Sequence, residues 1–123
     1  MERYLMVLLG GGFGSLARYV VAIAINSRVG NRFPLGTVVI NITGSFLIGV
    51  LMILLTEKFQ MHENWRLLLV VGFLGGYTTF SSFEFETYQA VHSGDYWIGL
   101  LNVLGSVTLG FAGVWLGAVI ARR

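Results

Sequence analysis

The chain of 123 residues contains no cysteine, a single proline and few charged side chains. Without cysteine it can form neither a disulfide framework nor a thiolate metal site. Only 11% of its residues are charged, whereas a soluble domain carries about 25%. With 55% apolar residues and a net charge of +2, the composition indicates lipid as the solvent and gives no argument for a nucleic-acid partner.

Four stretches meet the requirement of about 20 mostly apolar residues for a membrane-spanning helix. They cover residues 4–25, 35–56, 67–91 and 96–121, and three short polar loops separate them. The N-terminal residues lack a charged segment followed by a small-residue cleavage site, so we interpret the first stretch as a membrane helix and not as a removed signal peptide. The sequence therefore predicts one all-α domain, residues 1–123, with four transmembrane helices.

Small residues recur four positions apart in every predicted helix, a spacing that lets two helix backbones approach closely. The pairs are Gly10 and Gly14, Gly11 and Ser15, Ser45 and Gly49, Gly72 and Gly76, Ser106 and Gly110, and Gly113 and Gly117. They predict a compact bundle with little lumen inside one protomer.

The basic residues give only a weak prediction of orientation. Five of them fall on the side of the N-terminus, and two fall on the other side. The five are Arg3, Lys58, Arg66, Arg122 and Arg123, and the two are Arg28 and Arg32. So small a difference favours the N-terminus inside but is compatible with insertion in both orientations.

The run from Gly72 to Phe83, GFLGGYTTFSSF, is the densest polar signal inside a predicted span. Adjacent glycines and threonines are poor helix formers. A break here would free backbone carbonyls, which the membrane tolerates only where they are buried in protein or face water. Such carbonyls are hard oxygen ligands for a small cation such as Na⁺. An unbroken helix with packed glycines and back-bonded threonines fits these residues equally well.

Neutral hydrogen-bond donors cluster near two phenylalanines. Phe80 and Phe83 are three residues apart and share a helix face, and a phenyl ring has a positive edge that can touch a small anion. Packing in the core or against lipid explains the same spacing. The other polar positions are Thr37, Asn41 and Ser45 in one stripe of the second helix, and Asn102 and Ser106 on one face of the fourth. Asn41 fits either an interhelical hydrogen bond or a pore-lining donor. A set of uncharged donors suits a small, hard anion that must lose its water and still leave.

Charged groups inside the spans are few. Arg18 either raises the potential near a pore mouth or extends to the interface. Glu84 and Glu86 lie toward one end of the third helix, and an intramembrane carboxylate is a functional candidate. The two histidines, His62 and His92, fall in different loops, and no Ser/His/Asp arrangement is present, so we expect no enzyme activity.

Over its whole length the chain resembles the Fluc family of fluoride channels, also called CrcB proteins. The shared motifs are a glycine-rich run ending at Arg18, GTxxxN from Gly36 to Asn41, and GGxTTFSxF from Gly75 to Phe83. The resemblance implies an antiparallel, dual-topology homodimer with a break in helix three and two fluoride pores. It also implies one structural Na⁺ at the dimer centre, held by the backbone carbonyls of Gly75 and Thr78. The implied function is passive fluoride export across the inner (plasma) membrane of a bacterium by a multi-pass protein.

The resemblance also assigns the pore. Its phenylalanines correspond to Phe80 and Phe83, its asparagine to Asn41, and one hydroxyl of helix four to Ser106. Further donors are Thr79, Ser81 and Thr37, and an electrostatic contribution is expected from Arg18 and Glu86. Four positions depart from the family pattern, namely Tyr77, Ser82, Glu84 and Asn102. At the position of Asn102, family members often have a tyrosine.

Two other hypotheses fit parts of the sequence. A small proton-coupled multidrug exporter would have the same length and helix number, but it relies on a carboxylate in the first helix, where this chain has Arg18. A non-transporting assembly or regulatory subunit is compatible with the composition, but it gives the asparagine, hydroxyl and phenylalanine cluster no role.

Overall fold

The structure, a computed structural model, describes residues Met1–Arg123 and is helical apart from its loops and one extended pair within the third span. We number the helices α1 (Glu2–Val29), α2 (Leu35–Lys58), α3 (63–77), α4 (Phe80–His92) and α5 (Tyr96–Arg122). The last turns of α2 (Ile53–Lys58) and most of α3 (Leu67–Leu74) have the wider π-helical hydrogen bonding. α1 continues to Val29 and α3 begins at Glu63 because polar residues at a span's ends can extend a helix beyond its apolar part.

Four stretches are long and apolar enough to cross a membrane, namely Glu2–Val29, Leu35–Lys58, Glu63–His92 and Tyr96–Arg122. Only 18 of the 123 residues are buried, and most large apolar side chains lie on the outside of the helices. That surface would be unfavourable in water but is satisfied by lipid or by other protein. The chain is a multi-pass membrane protein, as predicted.

Glycines set the distances between the helices. α1 packs closely on α3, and α2 packs on α5. A Cβ added at Gly14 would overlap the backbone of Phe73, and one at Gly49 would overlap the carbonyl of Val114. The predicted packing role of the glycines is confirmed at these positions, since any side chain there would push two helices apart.

The third span contains two residues outside the helices. Thr78 has φ −81° and ψ 158°, and Thr79 has φ −149° and ψ 120°, so both are extended. The segment before them, α3, lies against α1, whereas α4 lies against α5. The extended pair thus joins two helical segments that pack on different neighbours.

Candidate functional site

A cleft of about 390 Å³ opens beside the extended pair and brings together residues from α2, α3, α4 and α5. It is lined by Asn41, Gly44, Ser45, Ile48, Val70, Leu74, Gly75, Thr78, Thr79, Phe80, Phe83, Ser106 and Val107. No lining residue carries a charge. The polar groups are amide, hydroxyl and backbone groups, which are all neutral. Most of the sequence-predicted pore residues and both predicted sodium ligands therefore line one site.

Asn41 joins α2 to the extended backbone through two reciprocal hydrogen bonds. Its Nδ2 donates to the carbonyl of Thr79 at 2.8 Å, and its Oδ1 accepts from the amide of Thr79 at 2.8 Å. We call this pair of bonds the Asn41 bracket. Backbone groups without partners are costly at membrane depth, and the bracket satisfies both groups of Thr79 outside a helix. Asn41 therefore makes an interhelical hydrogen bond, which was one of the two roles that its sequence position allowed.

The extended pair leaves backbone carbonyls at the end of α3 and at Thr78 free of helical hydrogen bonds. In a continuous helix the amide of Thr79 would bond to the carbonyl of Gly75, but it donates to Asn41 instead. Similarly, the amide of Ser82 would bond to the carbonyl of Thr78, but it donates to the side-chain oxygen of Thr79 at 3.2 Å. Gly75 and Thr78 thus keep carbonyl oxygens available, and such oxygens fit a small, hard cation. No group of three or more acidic, histidine or cysteine side chains is placed to hold a metal ion.

Phe80 and Phe83 line the same cleft with very different exposure. Phe80 is 74% exposed and Phe83 is 6% exposed. Their ring centroids are 5.8 Å apart with an angle of 47° between the planes. The two rings are therefore neither stacked nor perpendicular. The exposed ring lies on the open side of the cleft and the buried ring inside it.

The N-terminus of α4 also opens at this cleft. Helix geometry leaves the first amides of a helix without intrahelical partners. Thr79 caps the amide of Ser82, so the amides of Phe80 and Ser81 remain as donors. The helix dipole adds partial positive charge at this end, and the arrangement favours an anion without placing a full charge beside it.

Four predicted residues, Thr37, Glu86, Ser81 and Arg18, lie outside the cleft. Thr37 donates to the carboxylate of Glu86 at 2.7 Å, and both line a second cavity closer to one end of the bundle. Ser81 is exposed, and its hydroxyl lies 3.4 Å from that of Thr79. Arg18 is half-buried on α1 and lines neither cavity.

Sequence reasoning missed the role of Gly44. A Cβ at Gly44 would overlap the side chain of Thr78, so glycine is required for the extended pair to approach α2. Its position three residues after Asn41, on the same helix face, was the available signal. Ser45, noted only as part of a polar stripe, also lines the cleft.

We predict that Asn41→Leu lowers the free energy of unfolding by about 1–3 kcal/mol, because the amide and carbonyl of Thr79 lose their partners. Thermal unfolding in detergent, followed by circular dichroism, measures the effect. Ser45→Ala, one turn further along the same cleft, is the matched control and should leave the midpoint nearly unchanged. Equal midpoints for Asn41→Leu and the wild type would contradict the role of the bracket.

Comparison with known proteins identifies the family. Residues 5–118 match the family described as CrcB-like protein, Camphor Resistance (CrcB). A protein of Solibacter usitatus is 68% identical over 121 residues, covering 98% of this chain and 99% of its own length. One from Coxiella burnetii is 48% identical over 120 residues, covering 97% of both chains. One from Acidobacterium capsulatum is 46% identical over 121 residues, covering 98% of this chain and 97% of its own. Each is named "Fluoride-specific ion channel FluC", so the relatives are transport proteins and not enzymes. The chain belongs to the CrcB family.

Proposed function

We propose that the chain is a passive, selective fluoride channel. The observation that carries the proposal is the cleft at membrane depth lined by neutral donors, two phenyl rings and no charge. The names of its relatives support fluoride as the ion. Fluoride must exchange its hydration shell for protein donors, and a fixed positive charge in the path would hold it too tightly to leave.

The donors in the cleft are suited to such an exchange. Ser106, the α4 amides and the edges of the two phenyl rings each offer partial positive charge. The hydroxyls of Thr79 and Ser81 add two donors at the N-terminal end of α4. Larger halide ions need a wider path, and they hold their water less strongly than fluoride does. We therefore expect a short, closely spaced set of donors to favour fluoride.

We also propose that two copies assemble as an antiparallel homodimer with two pores. The support is the exposure of Phe80 and of Gly75 on the open side of the cleft, which a second copy would cover. The weak bias of five basic residues against two is compatible with insertion in both orientations. A partner in the opposite orientation would complete each cleft with its own phenylalanines.

A structural Na⁺ at the centre of this dimer is part of the proposal. The carbonyls of Gly75 and Thr78, released from helical bonding, would hold it from both copies. Hard oxygen ligands suit Na⁺. Its positive charge would offset the partial negative charges of the carbonyl oxygens that meet in the interface.

The proposed location is the plasma membrane of a bacterium, where an inside-negative potential would drive fluoride outward without further energy input. The chain would then lower cytoplasmic fluoride and confer resistance to it. Thr37 and Glu86 would lie at a mouth of the pathway, where the carboxylate adjusts the local potential. Arg18 would add positive potential from α1.

We expect fluoride to leave liposomes through the reconstituted protein rapidly, and chloride not to leave. Vesicles are loaded with potassium fluoride or potassium chloride, valinomycin is added to balance charge, and efflux is followed with an ion-selective electrode. Protein-free vesicles are the control. Absence of fluoride efflux from folded protein, or equal efflux of both ions, would refute the proposed function.

Phe80→Ile and Phe83→Ile should each lower fluoride efflux by about tenfold, because isoleucine keeps an apolar volume but lacks the positive ring edge. Phe111→Ile is the control, since Phe111 is an exposed phenyl on α5 paired with Trp115 outside the cleft. The same liposome assay measures all three variants. Wild-type rates in both cleft variants would assign the rings to packing alone.

Replacing Na⁺ by N-methylglucamine throughout purification should shift the protein from dimer toward monomer, because the proposed central ion is lost. Light scattering coupled to size exclusion in detergent gives the mass, and return of Na⁺ should restore the dimer. A K⁺ preparation tests ion specificity. A dimer of unchanged stability after exhaustive Na⁺ removal would exclude the central site.

A further inference from the structure

Asn102 is the most deeply buried polar side chain, with 1% of its surface exposed. It lies on α5 between two hydroxyl groups. Its Nδ2 donates to the Oγ1 of Thr87 at 2.9 Å, and the hydroxyl of Ser106 donates to its Oδ1 at 3.3 Å. Thr87 in turn donates to the backbone carbonyl of Phe83 at 2.8 Å. A hydrogen-bonded chain therefore runs from a hydroxyl of the cleft to the backbone of a cleft phenylalanine.

The direction of every bond in this chain follows from Thr87. A hydroxyl has one proton, and Thr87 gives its proton to the carbonyl of Phe83. Its oxygen can then only accept, so the amide nitrogen of Asn102 must face it. The Asn102 oxygen consequently faces Ser106 and must accept, which makes Ser106 the donor. The proton of Ser106 is thus directed at Asn102 and not at the cleft.

An anion that binds at Ser106 needs that same proton. We propose that Asn102 is a positioning residue that holds the Ser106 hydroxyl proton between ions and gives it up when fluoride arrives. The inference rests on the proposed fluoride channel and concerns this one donor. When Ser106 turns toward the ion, the Asn102 oxygen loses its partner in a buried place, which is unfavourable. Fluoride is therefore held more weakly at Ser106 and leaves sooner, as conduction requires.

Asn102→Leu removes the competing acceptor at similar volume. The Ser106 hydroxyl can then donate to the backbone carbonyl four residues earlier in α5. That carbonyl already accepts a helical hydrogen bond, so it keeps a partner when Ser106 turns toward the ion. We expect the fluoride concentration that half-saturates the single-channel current to fall by about five-fold or more. The limiting current should fall as well, because release becomes slower.

Thr87→Val tests the same claim from outside the cleft. It keeps Asn102 and the side-chain volume but removes the acceptor that fixes the amide. Asn102 can then turn its nitrogen toward Ser106, which frees the Ser106 proton, so the half-saturating concentration should again fall. Thr108→Val is the matched control, because it removes a hydroxyl from the exposed side of α5 and should change neither quantity.

The measurement is single-channel current in planar bilayers across a fluoride concentration series, with each variant also made in a Ser106→Ala background. We expect the effect of Asn102→Leu to disappear in that background. An effect of the same size without Ser106, or conducting Asn102→Leu and Thr87→Val channels with wild-type saturation, would overturn the inference and leave the fluoride channel intact. If Asn102→Leu does not assemble, the half-saturating fluoride concentration of Thr87→Val decides the test. A folded wild type without fluoride current would overturn both proposals.

Discussion

The Asn41 bracket is the interaction on which the rest of the site depends. At membrane depth each backbone amide and carbonyl must find a partner within the protein. A span with two extended residues would otherwise leave such groups unpaired. One side chain from α2 supplies both a donor and an acceptor to Thr79 at 2.8 Å each, so the extended conformation persists without that loss.

Two further features follow from the bracket. On one side, backbone carbonyls that a continuous helix would use are free, including that of Gly75 near the end of α3 and that of Thr78 in the extended pair. On the other side, α4 begins inside the bundle, so its first amides and Phe80 open onto the cleft. Gly44 makes both possible because it allows Thr78 to lie against α2. Neutral donors are thereby concentrated in one place without any charged residue in the lining.

The four spans were predictable because hydropathy and the spacing of small residues are local properties of the sequence. The extended pair was left open, since the glycines and threonines of residues 75–79 fit a packed helix as well as an interrupted one. What decides between them is Asn41, 38 positions away from Thr79, and local propensity contains no information on that pairing.

The spacing of residues on one helix did not determine which part of the bundle Thr37 and Asn102 meet. Thr37 was grouped with Asn41, but four residues advance a helix by about 6 Å, and at that height Thr37 meets Glu86 and not the cleft. Asn102 and Ser106 were correctly placed on one face, and they are hydrogen-bonded. The burial of Asn102 and its contact with Thr87 depend on how α4 packs against α5, which the pattern of one helix does not determine.

Amide hydrogen exchange at Thr79, resolved by NMR in the lipid-reconstituted protein, tests the bracket most directly. Thr78 is the protected reference because its amide bonds to the carbonyl of Leu74 at 2.9 Å, and Ser81 is the reference for an exposed first-turn amide without a helical partner. We expect Thr79 to exchange as slowly as Thr78 and much more slowly than Ser81. Exchange of Thr79 at the rate of Ser81 would contradict the Asn41 bracket.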